Sequence, residues 1–96
     1  MNSPQNCENS YEKISDEYSK VAKLAMDNID FLKKTTKNSA EYDNIISIIR
    51  SKYDTMCSLN SIMIELEESN TELSKFSLLR SQTHCVYDLI IGKYTY

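Results

Sequence analysis

Residues Tyr42–Leu66 read YDNIISIIRSKYDTMCSLNSIMIEL. Tyr42, Ile45, Ile49, Tyr53, Met56, Leu59, Met63 and Leu66 recur at steps of three and four. On a helix of 3.6 residues per turn these positions fall on one side, as a heptad-like seam. Ile46, Ile48, Ile62 and Ile64 widen that side, so the segment has more than one neighbour to cover. No glycine or proline interrupts it. In either direction the nearest are Pro4 and Gly92, the only such residues in the 96-residue chain. An average chain of this length carries roughly seven glycines and five prolines. Sheets need tight turns and tight turns lean on these two residues, so the chain is expected to be all-α.

Working outward, the first half carries a second stripe: Tyr11, Ile14, Tyr18, Val21, Ala25, Ile29 and Leu32. Between the stripes lies Thr35-Thr36-Lys37-Asn38-Ser39. The β-branched pair weakens a helix, lysines 33, 34 and 37 suit its C-terminal dipole, and Asn38 followed by Glu41 resembles a capping box. Beyond Leu66 comes the polar run Glu67-Glu68-Ser69-Asn70-Thr71-Glu72. Ser69 and Glu72 form another capping pattern, so a corner or at least a kink is expected there. Leu73, Phe76, Leu79, Thr83, Val86 and Ile90 then share a face, with Leu78, Cys85 and Leu89 beside it. Gly92 is read as a helix stop.

These readings give a flexible polar arm at 1–9, one helical domain at 10–92 and a tail at 93–96. The helices cover about 10–35, 39–67 and 70–91. Similar lengths and short corners suit a three-helix up-down-up bundle. If the second corner fails, the outcome is a bent antiparallel helical hairpin with coiled-coil character.

Several function classes are disfavoured. Fourteen acidic and 11 basic residues leave a net charge of −3; a nucleic-acid binder is expected to be basic. The Lys33-Lys34-Lys37 cluster reads as a helix-end dipole effect. No run approaches the roughly 18 apolar residues that span a bilayer, and the polar first ten residues lack a secretory core. Three cysteines, at 7, 57 and 85, have no framework spacing and favour a reducing, intracellular and cytoplasmic setting. His84 is the lone histidine, with Asp88 one turn on as its expected local partner; His84 and Cys85 diverge by about 100° on a helix and make no joint metal site. Glu67, Glu68 and Glu72 lack a loop to wrap a cation. No catalytic residue, cofactor or metal is expected.

Protein contact remains. Seven tyrosines exceed what so small a core needs, and tyrosine suits interfaces. Serines 47, 51, 58, 61, 74, 77 and 81 lie in expected helix interiors. Each costs about 0.5 kcal/mol against alanine, on the order of 3 kcal/mol together, so packing must hold these helices. The expected function is a non-enzymatic subunit or adaptor that meets another helical chain, or itself, helix on helix. Its expected anchors are Tyr87, Leu89, Ile90, Ile91, Tyr94 and Tyr96.

The stretch from Ile29-Asp30-Phe31-Leu32 through Tyr53 loosely resembles the helix–turn–helix of small type III secretion needle subunits and their chaperones. It lacks the proline-bearing turn usual in needle subunits, and the chain runs further past the second helix. That resemblance implies an alternative role as a small helical chaperone or structural subunit of a secretion-type apparatus. In composition the chain is similar to small coiled-coil subunits of eukaryotic assemblies such as kinetochore or vesicle-tethering complexes.

Overall fold

The computed structural model describes residues 4–95, with side chains from residue 9 onward. Helix α1 spans Pro4–Lys33 and α2 spans Ala40–Ser69; a short 3-10 turn, Ser74–Phe76, leads into α3 at Ser77–Thr95. α2 runs back along α1, and α3 returns along both. Tyr11 near the start of α1 stacks on Phe76 at 5.4 Å, while Lys33 at its end lies over the Tyr94 ring at 5.4 Å. The result is an elongated up-down-up bundle of 53 × 21 × 15 Å.

The first two stripes form the core as their spacing predicts. Tyr11, Tyr18, Val21, Ala25, Ile29 and Leu32 of α1 are buried against Ile45, Ile49, Met56 and Met63 of α2. Ala22 and Ala25 are fully buried, so small side chains let α1 approach its neighbours closely.

The boundaries differ from expectation in four places. α1 starts at Pro4, within the expected arm, and proline there lacks only an N–H that no carbonyl would have bonded. At the first corner Ser39, not Asn38, is the cap of α2: its Oγ accepts from the Tyr42 N–H at 3.1 Å. Asn38 takes the left-handed conformation (φ 64°), which Asn tolerates better than most residues. At the second corner Ser69 is the last residue of α2 and donates its hydroxyl to the Glu65 carbonyl at 2.9 Å. Asn70 breaks the helix in extended conformation, and its Oδ1 accepts from the Glu72 N–H at 3.0 Å. The corner is therefore a true one, and it moves the start of α3 to Ser77. Ser74 and Ser77 consequently sit at this corner and not in a helix interior.

Gly92 does not stop α3, which continues to Thr95. A helical glycine costs about 1 kcal/mol relative to alanine. That is offset because Thr95 is buried and its carbonyl accepts from the Arg50 guanidinium at 2.6 Å.

Removing the Ser39 hydroxyl with Ser39→Ala is expected to cost about 1 kcal/mol in urea unfolding, the usual worth of a cap. Asn38→Gly should be neutral or slightly stabilising, because glycine enters the left-handed region freely. Asn38→Ala should destabilise.

Candidate functional site

The third helix holds the largest departure from the sequence reading. The stripe of Leu79, Val86 and Ile90, with Leu78, Cys85 and Leu89 beside it, points outward. Leu78, Leu79 and Leu89 are 68%, 66% and 69% exposed. The inward face is Arg80, His84, Tyr87, Ile91 and Thr95, spaced by fours and threes and mostly polar. Burial of polar groups is tolerated only when each finds a partner. Among the described residues no buried side-chain nitrogen or oxygen lacks one.

Those partners form three polar layers. In the first, Arg80 Nε donates to Glu67 Oε2 at 2.6 Å and its NH1 group donates to Asn60 Oδ1 at 2.9 Å. Tyr11 donates to the same Glu67 oxygen at 2.5 Å, so one carboxylate joins all three helices. The Glu67 and Arg80 side chains are only 5% and 14% exposed, which places this pair in the interior and not among screened surface pairs. Burial, then the hydrogen bond to Glu67, raises the Tyr11 pKa well above the ordinary phenol value, keeping Tyr11 a donor.

In the second layer Tyr18 OH meets His84 Nδ1 at 2.7 Å, and Cys57 Sγ lies 4.0 Å from Nε2. Burial raises the Tyr18 pKa too, so its phenol stays protonated and donates to Nδ1. A neutral imidazole accepting there carries its own proton on Nε2, facing Cys57. The Tyr53 ring stacks on the imidazole, 6.1 Å between centroids and 10° from parallel. The Tyr53 hydroxyl donates to Asp88, and that bond is the first cause of its raised pKa, ahead of burial. Asp88 thus pairs with Tyr53 of α2, and the partner of His84 is Tyr18 of α1. The expected local His84–Asp88 pair is replaced by two cross-helix contacts.

The third layer is the Arg50 contact to Thr95. Above it, Lys93 also lies over the Tyr94 ring, at 5.8 Å.

Burial lowers the His84 pKa; the Asp88 charge opposes it, and the Arg80 charge adds a smaller lowering. The depressed value means that the unfolded chain binds the proton more readily. Stability from this group is therefore full above the ordinary histidine value near 6.5 and falls as pH drops below it. The melting temperature should fall more steeply between about pH 6.5 and 5 in the parent than in His84→Gln; equal slopes would assign the acid sensitivity to other groups.

The expected anchors divide as follows. Leu89 and Ile90 are exposed on α3. Tyr87 and Tyr94 are half-buried against the core, Tyr87 edge-on to Tyr18 at 6.1 Å. Ile91 is fully buried in the chain's own core, which removes it from any exposed face. Tyr96 lies outside the described residues. Neither described cysteine is a fully buried hydrophobe: Cys57 is half-buried and Cys85 exposed. That Cys57, not Cys85, lies beside His84 follows from the rotation of α3 and has no signal in the local sequence. Among the described residues no three His, Cys, Asp or Glu side chains gather as a metal-binding group, and no helix is long and apolar enough to cross a membrane.

A groove of about 190 Å³ runs between α1 and α3, lined by Tyr11, Ser15, Tyr18, Phe76, Leu79 and Thr83 among others. It is continuous with the exposed side of α3 through Leu79. No protein family matches the chain, and no curated protein or solved structure is significantly similar to it.

Proposed function

We propose that the chain acts through helix-on-helix protein contacts, as a non-enzymatic, intracellular subunit or adaptor of a larger assembly, with the outer face of α3 as its working surface. The observation that carries this reading is the orientation of α3. Its polar side is turned inward and satisfied, and its apolar side is left in solvent. Exposed apolar side chains gathered on one helix face mark interaction sites in soluble proteins. Leu89 and Ile90 sit in that face, with Tyr87 and Tyr94 at its inner edge.

The test is sedimentation velocity of the parent and of Leu79→Glu/Leu89→Glu, each alone and in native extract. The parent should travel in a species heavier than its own 11.1 kDa in at least one setting. The variant should be equally helical and travel as a monomer. A parent that is an 11.1 kDa monomer in both settings would contradict the proposal.

A second reading, a small helical chaperone or structural subunit of a secretion-type apparatus, draws on the α1–α2 hairpin. Leu24 and Phe31, seven residues apart on α1, are about half exposed on its outer side. This reading gains if Leu24→Glu/Phe31→Glu, and not the α3 pair, abolishes the heavy species.

A further inference from the structure

We propose that the cavity at the end of the bundle where α1 and α3 finish and α2 begins binds a compact phosphate chain, that of inorganic polyphosphate or of a nucleoside triphosphate. This site is separate from the outer face of α3 and does not depend on the protein-contact reading.

The cavity measures about 360 Å³ and is lined by Lys33, Lys37, Lys93, Tyr42 and Tyr94, with the buried Leu32 behind them. Ligand sites run from about 300 to 1,000 Å³, so this one suits a small ligand and not a folded partner. Its three ammonium groups come from three places: the last turn of α1, the corner before α2 and the last turn of α3. Only the up-down-up fold brings Lys93 beside the other two. Among the described residues no carboxylate lines the cavity. The chain as a whole is acidic, with 14 acidic residues to 11 basic ones, so the positive charge here is local.

Helix dipoles account for two of the lysines and not for the third. Lys33 and Lys93 each sit at a helix C-terminus, where a cation is favoured. Lys37 lies two residues ahead of the Ser39 cap, at the positive end of α2, where a cation is disfavoured. Lys33 and Lys93 are also drawn to one ring, at 5.4 and 5.8 Å from the Tyr94 centroid. Each contact attracts, but the two like charges repel. Asp30 stands 3.9 Å from Lys33 with both side chains well exposed, and a surface pair of that kind is worth little. Glu41 and Asp43 occupy the first turn of α2 and do not line the cavity. An anion held among the three lysines relieves their repulsion and meets the positive end of α2.

Three ammonium groups around one small cavity call for several negative charges on one small group. A phosphate chain supplies them, and lysine binds phosphate as a point charge. The Tyr42 and Tyr94 hydroxyls can donate to its remaining oxygens.

Isothermal titration calorimetry of the full chain at constant ionic strength tests the site with inorganic tripolyphosphate, adenosine triphosphate and sulfate. The parent should bind one equivalent of tripolyphosphate, and sulfate far more weakly. Lys37→Gln and Lys93→Gln change exposed residues, so circular dichroism should show unaltered helicity. Each should weaken tripolyphosphate binding about ten- to a hundredfold, the loss of one charged hydrogen bond. Lys13→Gln/Lys20→Gln removes two exposed charges from α1 away from the cavity and should leave the affinity unchanged. Equal affinity for the two phosphate probes assigns the phosphate chain alone as the ligand; tighter adenosine triphosphate assigns the nucleotide. Failure of the parent to bind either phosphate probe would overturn the proposal. So would an equal loss in Lys13→Gln/Lys20→Gln, or sulfate binding as tight as tripolyphosphate, since either shows only general attraction of anions to lysine.

Discussion

Ile91→Glu is expected to unfold the chain. The isoleucine is fully buried, and losing its burial costs about 1.5–3 kcal/mol. The incoming carboxylate adds several kcal/mol, because it is desolvated in a site that held an apolar side chain. A domain of this size has roughly 5–15 kcal/mol in all, and the serine-rich helices put this one toward the low end. The milder Ile91→Val should cost about 0.5–1.5 kcal/mol and leave a cooperative transition. Leu89→Glu, two residues earlier and 69% exposed, should change the stability of the isolated chain by no more than about 0.5 kcal/mol. Circular dichroism melts of the three variants check this directly. Loss of structure in Leu89→Glu, with Ile91→Glu unaffected, would mean that α3 faces the other way.

The second large effect is expected at Glu67. Alanine there leaves the Arg80 guanidinium buried without its anion and the Tyr11 hydroxyl without its acceptor. Breaking one side of a buried pair costs about 3–5 kcal/mol. Because Glu67 links all three helices, the loss should fall on the docking of α3 as much as on the α1–α2 hairpin. A double-mutant cycle separates the pair from its surroundings. Glu67→Met/Arg80→Leu should be much less damaging than Glu67→Ala alone, since apolar replacements of similar volume often restore what a buried ion pair supplies. Additive costs in urea unfolding would show that the two side chains do not depend on each other.

Helix existence and the α1–α2 core were legible in the sequence because a single physical rule fixed them. Apolar residues at steps of three and four must face a neighbour, and no breaker interrupts them. The α3 face was not legible for the same reason applied once too often. Its apolar stripe is the better match to that rule, yet the helix buries Arg80 and His84. Their partners, Glu67 and Tyr18, lie 13 and 66 residues away. Hydropathy treats a buried arginine as a cost and has no means of seeing the carboxylate that offsets it. The corners were located but their chemistry was shifted by one position at each. Asn38 and Ser39 both suit a cap, and only the backbone angle shows which one turns left-handed. Gly92 was misread because a helix end depends on whether the residues beyond it pack, and Thr95 does.

A polar inner face also favours one rotation of α3 over others. Three hydrogen-bonded layers each demand a particular register, whereas an all-apolar seam would accept a slipped one. The stripe left outside is then free to serve another chain.

Methyl NOE spectroscopy of the chain with labelled isoleucine, leucine and valine tests that arrangement most directly. NOEs within one chain are expected from Ile91 to the core methyls of α1 and α2. For Val86 and Leu89 none to those methyls are expected. Intrachain NOEs from Val86 and Leu89 to the core, with Ile91 showing none, would contradict it.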